Sequence, residues 1–344
     1  MEASNERPMK VPSPDDASLK AVLAALAGNA IVTFAKFLGW TATLSPSMLA
    51  EAVHSLADTL NQTLLLIGIR HGAGQPTKAY PFGKGQARYI WNLISAMGIF
   101  FMGFGITVYH GLHALLTGEA GDPGASPTIP VLILGFSFLV ESYSLYVGFH
   151  SVNEARGELP FWEHLRKGDD PTGVAVLLED TIAVFGVALA LAGILLSRKL
   201  NSPVPDAVAS IFIGFLLGTM AVVLAIANGR ILMGASAGGD WDSDIRDFIE
   251  SFPAVERVVS LKTSVLAPGR LRVSLEVEFH GGILVNRQQI ERDADKIRDG
   301  DDPVQILVET SERMVRTVGR EINRLEAEIH QRFPQVVVID LEVN

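Results

Sequence analysis

Cysteine is absent from all 344 residues. That single absence excludes disulfides, thiolate metal sites and cysteine nucleophiles. Positive charge is in deficit: 28 Lys and Arg face 38 Asp and Glu, a formal net charge of -10, so nucleic acid is not expected as a partner. No nucleophile–base constellation stands out either, which leaves a membrane hydrolase without its chemistry, and no enzyme or cofactor motif is evident. The N-terminus, MEASNERPMKVPSPDD, lacks the apolar core of a signal peptide and the acid-poor, Arg/Ser-rich character of a transit peptide. Residues 1–17 read as a short disordered cytosolic arm.

What is present is apolar sequence in long blocks. Six can be delimited, at about 18–42, 45–70, 87–116, 128–152, 171–197 and 204–229. Each reaches the roughly 20 residues that a helix rising ~1.5 Å per residue needs to cross a bilayer. Lys and Arg set the orientation. The N-terminal arm has Arg7 and Lys10. The second-to-third loop has Arg70, Lys78, Lys84 and Arg88, and the fourth-to-fifth has Arg156, Arg166 and Lys167. On the other side GWTATLS has none and TGEAGDPGASP is acidic; only Arg198 and Lys199 run against the trend. The expectation is an α-helical polytopic membrane protein with six transmembrane helices over residues 18–233, integral to a bacterial-type cytoplasmic membrane, with both termini in the cytoplasm.

Within this frame one stretch stands out, LAEAVHSLADTLNQ, from Leu49 to Gln62. His54 and Asp58 are four apart and share a helix face, which Asn61 extends. An ionisable residue in a membrane helix costs about 2.5–3.5 kcal/mol on insertion scales, so it faces the bundle interior and marks a pathway. Imidazole and carboxylate on adjacent turns can bind one borderline divalent cation. The competing reading is a His–Asp pair that packs helices and binds nothing. Asp180 lies about ten residues into the fifth block, near mid-membrane, and needs a partner or an ion there; His54 and Asp58 can supply the ion's other ligands. For Asn29 and Ser142 interhelical hydrogen bonding is the expectation. Lys36 is expected to snorkel to the interface and Asp206 to cap its own helix. Gly214 and Gly218 form a G-x-x-x-G suited to close packing or dimerisation.

After GASAGG at 234–239 the composition becomes that of a soluble domain, 234–344. A helix is expected at 242–252, then strands in VVSLKTSVLA and RLRVSLEVEFH about a Pro268-Gly269 turn. Helices at 285–298 and 304–332 and a strand at 336–343 complete a cytoplasmic α+β domain of ferredoxin-like type. Its histidines, His280 and His330, read as surface or packing residues.

AVHSLADTLNQ, the loop HGAGQPTKAYPFGKGQARYIWNLIS, an intramembrane Asp in the fifth block and the αββαβ tail together resemble the cation diffusion facilitator family, from about residue 18 to the end. TVGREINRLEAEIHQRFPQVVVIDLEV and VLLEDTIAVFGV are similar to a narrower, zinc-transporting branch of it. The resemblance implies a homodimer that exchanges a divalent cation, zinc before manganese, iron or cobalt, for protons by alternating access. It also implies a transport site of two ligands in each of the second and fifth helices. His54, Asp58 and Asp180 match three of the four. The fourth departs, because Val176 stands where a ligand is expected. Glu179 replaces it, or water or Asn61 completes the shell and Glu179 contacts a neighbouring helix. Lys84 stands in PFGKGQ where related loops carry His, so the family's second site is not expected, and the tail is short of ligands and suited to dimer contact. The reading from a different class is a membrane-anchored dimeric scaffold whose polar pairs are structural.

Overall fold

The computed structural model describes residues 16–118, 126–155, 160 and 171–344. The N-terminal arm before Asp16, most of the acidic loop after Thr117, and Arg156, Arg166 and Lys167 lie outside the described residues. The chain divides into two compact units, the first ending at Leu232 and the second beginning at Met233.

The first unit is helical throughout: α1 (Asp16–Thr43), α2 (Pro46–Gly72), α3 (Ala87–Thr117), α4 (Thr128–Ala155), α5 (Pro171–Leu200) and α6 (Val204–Leu232). Each apolar block of the sequence is a helix. The break between α1 and α2 is chemically marked. Ser45 caps α2 by accepting the Met48 N–H at 3.2 Å, and Pro46 takes the first turn, where no N–H is missed. Gly118 ends α3 in the left-handed conformation, with φ of 70°. Mid-way along α3, Ile99–Ile106 winds as a π-helix, a form that recurs at functional positions.

By length and composition α3, α4, Leu177–Leu200 of α5 and α6 can cross a membrane. Among the described residues α1 and α2 do not meet that measure. In α2 the reason is its polar run of Glu51, His54, Asp58, Asn61 and Gln62; for α1 the side chains before Leu26 lie outside the described residues. The bundle carries large apolar side chains outward, Phe101, Phe136, Leu139, Phe212 and Ile226 among them. A surface of that kind is stable against hydrocarbon and not against water.

Inside, Met48, Ala50 and Ala57 of α2 meet Ile99 of α3, Leu134 of α4, Val187, Ala190 and Ile194 of α5, and Ile213, Leu217 and Ala221 of α6. Small residues set the spacing. A Cβ on Gly214 would lie 2.6 Å from Val108, and one on Gly218 3.0 Å from Phe104, so the G-x-x-x-G of α6 seats α3 within the same chain.

Asp206 differs from its expectation. It does not cap α6. Its carboxylate accepts the Ser47 N–H at 3.3 Å and the Ser47 hydroxyl, both from the first turn of α2, and it is buried. A negative charge at a helix N-terminus is favourable, and here the charge comes from another helix.

In the second unit, α7 (Gly239–Glu250) leads into β1 (Val255–Ala267) and β2 (Arg270–Phe279), an antiparallel pair about Gly269 at φ of 65°. The short α8 (Gly281–Leu284), then α9 (Arg287–Arg298) and α10 (Pro303–Arg332), return the chain to β3 (Val336–Val343). β3 pairs parallel with β2, for a strand order β1-β2-β3. Leu271, Val273, Leu275 and Val277 alternate inward and pack with Ile245 and Ile249 of α7 and Leu325 and Ile329 of α10. Along α10 Ile306, Leu325 and Ile329 are buried, whereas Val304, Leu307, Val308 and Val315 are exposed. Asp293 of α9 accepts from Gln289 and Thr310 at 3.1 Å and pairs with Arg313. Burial pushes the Asp293 carboxyl up, but these partners outweigh it and hold it below the usual carboxylate range.

Candidate metal site

The buried half of α2, Pro46 to Ser55, carries His54 into the bundle, where the residue is 1% exposed. Its Nε2 lies 3.5 Å from Asp58 Oδ2 on the next turn, beyond the usual hydrogen-bond length, and neither ring nitrogen has a hydrogen-bond partner. A buried imidazole with two unsatisfied nitrogens is costly as it stands. It is chemically complete when it takes a proton or donates a lone pair to a cation.

Asp58 is reached from α5. Glu179 lies within hydrogen-bonding reach of it, and Asn61 Nδ2 donates to Glu179 Oε1 over a long 3.5 Å. The adjacent Asp180 turns elsewhere. Ser144 of α4 donates to its Oδ2 at 3.0 Å, and that oxygen sits 3.3 Å from where a Cβ on Gly148 would be. Neighbouring helix residues point about 100° apart, and α5 uses that angle to send one carboxylate toward α2 and the other toward α4. The four candidates His54, Asp58, Glu179 and Asp180 are thus brought to one level of the bundle by α2 and α5, with contacts running from His54 to Asp58 to Glu179. Among the described residues, no three His, Asp or Glu side chains stand together at metal-holding distance.

Sequence reasoning missed the group beside this one. Lys36 does not snorkel; it is 0% exposed, and its Nζ donates to Glu51 Oε2 at 2.9 Å and to Glu141 Oε1 at 3.0 Å. The bundle interior offers two carboxylates, and two short charge-assisted bonds outweigh what the side chain would gain by reaching for the interface. Glu51 had a legible signal. It precedes His54 by three and Asp58 by seven, so all three share one face of α2. In the α2–α3 loop the Lys84 ammonium stands 4.6 Å over the Tyr80 ring, so position 84 carries a cation and no metal ligand. In the tail, His330 Nδ1 is 2.8 Å from the Val336 carbonyl, a packing role, and His280 is exposed, 3.8 Å from Glu256.

Known proteins resemble this chain over nearly its whole length. Residues 22–233 match the family described as the cation efflux transmembrane domain. Metal tolerance protein C4 of Arabidopsis thaliana is 32% identical over 342 residues, covering 96% of this chain and 74% of the plant protein. The mitochondrial proton-coupled zinc antiporter SLC30A9 is 34% identical in Xenopus laevis and 33% in Homo sapiens, in each case over 94% of this chain. The chain spans 59% and 58% of the length of those two animal proteins. A match of 22–233 within 344 residues covers more than half of the sequence; the chain belongs to the cation efflux, or cation diffusion facilitator, family.

Proposed function

We propose that this protein exports a divalent metal cation, zinc before others, in exchange for protons, through a site made by His54, Asp58, Glu179 and Asp180. Cation efflux is transport and not catalysis, and the cation is cargo. The observation that carries the site assignment is the buried His54, unpartnered at both nitrogens and one turn from an Asp58 that Glu179 of α5 approaches. An apolar bundle keeps such a set only where something charged passes. A cation and protons competing for the same donors couples their movements.

In this reading α1 and α2 span the bilayer beside the four apolar helices, for six spans. The Lys and Arg of the α2–α3 loop lie on the cytoplasmic side of a bacterial-type membrane, with both termini and a ferredoxin-like tail. Two chains form a homodimer. A second cation class has specific support: three carboxylates to one imidazole is a harder donor set than a His-rich one, and it suits manganese, iron or cobalt beside zinc.

Purified protein in vesicles, offered zinc, manganese, iron and cobalt in turn at two pH values, tests the proposal. The expected result is metal entry accompanied by proton release, fastest with zinc. A dimeric scaffold would give no metal-dependent proton flux, and that result would end the transport reading.

A further inference from the structure

Among the described residues, three helices of the bundle carry the five carboxylates Glu51, Asp58, Glu141, Glu179 and Asp180, and the ammonium of Lys36 contacts two of them. Lys36 divides the five. Its ammonium takes one oxygen of Glu51 and one of Glu141, at 2.9 and 3.0 Å, and leaves Asp58, Glu179 and Asp180 beside His54. The two carboxylates it holds are not used up. Glu51 Oε1 and Glu141 Oε2 are both buried without a hydrogen-bond partner. Glu51 is 0% exposed. Its free oxygen lies against α5 at a glycine, where a Cβ on Gly186 would come within 2.7 Å of it.

A carboxylate pair from two helices, with one oxygen of each on a cation and a second oxygen of each unsatisfied, is a donor set for a divalent cation, zinc included. We propose that Glu51 and Glu141 form a second divalent-cation site that Lys36 keeps occupied with its own tethered ammonium. Lys36 thereby limits the bundle to one transported ion. The ammonium carries one charge and three donors in a space where a divalent ion would carry two charges and take the same oxygens. Removing it leaves two buried carboxylates without a counter-charge, a state that recruits a cation or does not persist. This inference rests on the transport reading above only for the meaning of the limit; the site itself stands on the triad.

The test counts zinc bound per chain, by equilibrium dialysis of the purified full-length protein at neutral pH, for the wild type and for Lys36→Met, Lys36→Gln and Lys36→Arg. The two uncharged variants are expected to bind one more zinc per chain than the wild type, and Lys36→Arg the same number as the wild type. The glutamine keeps a donor for the carboxylates, so it answers the question if the methionine variant does not fold. Adding Glu51→Gln to Lys36→Gln should return the count to the wild-type value. The same count in Lys36→Gln as in the wild type would overturn the proposal, as would an extra zinc that survives Glu51→Gln. A wild type that binds no zinc would sink the transport reading but not this one, which is decided by the difference between variants.

Discussion

Asp58→Ala is expected to abolish metal transport while leaving a folded, detergent-stable protein. Asp58 is the junction of the candidate site: His54 Nε2 is 3.5 Å from it on its own helix, and Glu179 reaches it from α5. Its side chain is 22% exposed and lies 3.5 Å from its neighbour on the same helix, so alanine removes no tightly packed side chain. The fold should tolerate the change for that reason. Loss of a ligand's outer partner already costs about 10–100-fold in metal affinity, and loss of the ligand itself should exceed that. Glu179→Gln is the companion variant. It keeps the length and the contact with Asn61 but removes the charge, and at least a tenfold loss of affinity is expected. Zinc uptake into vesicles at matched protein density is the measurement. Wild-type uptake by Asp58→Ala would place the pathway elsewhere. Wild-type affinity in Glu179→Gln would leave three side-chain ligands, with water or Asn61 as the fourth.

His54→Asp should change which ion is carried and at what pH. A neutral imidazole binds metal and a protonated one does not, so acidification weakens binding. A carboxylic acid in water loses its proton near ~3.9, an imidazole near ~6.5. By that ordering, with aspartate at position 54 the proton competes at greater acidity, and the midpoint of metal binding is expected to move to lower pH. The same exchange replaces the site's one nitrogen donor with oxygen, and the preference should move from zinc toward manganese. Affinities for both ions from about pH 5.5 to 8, bracketing the imidazole value, decide the matter. If the two proteins give superimposable pH profiles, His54 is not where metal and proton exchange.

The helices were legible because membrane segments advertise themselves by length and apolarity, and the tail because β2 alternates without a break from Leu271 to Val277. Direction was what could not be read. Glu179 and Asp180 are adjacent letters, and only the packed bundle sends one toward Asn61 and the other toward Ser144. Lys36 was misjudged for a related reason. Snorkelling is the default of a lone lysine in a membrane helix, and the default fails when partners from two other helices, 15 and 105 residues away, converge on it. Asp206 was assigned to the nearest helix start, its own, when the start it serves belongs to α2, 159 residues earlier. In each case the deciding partner was non-local.

The Asp206–Ser47 contact has a mechanical consequence. A carboxylate that holds the first turn of α2 against the first turn of α6 acts as a pivot: α2 cannot slide along α6 without stranding a backbone N–H and a buried charge. Lys36 clamps the same helix one turn further on, at Glu51. The free end of the lever is the stretch beyond Asn61, whose residues are mostly half-buried where those before it are buried. If α2 moves during transport, its end beyond Asn61 is the end expected to swing. The cysteine-free sequence makes the motion measurable, since two introduced cysteines are the only thiols a spin label can find. Labels on positions 65 and 226 should change separation between zinc-loaded and zinc-free protein, while a pair on 44 and 204, beside the pivot, should not. Equal changes at both pairs would show that α2 moves as a whole.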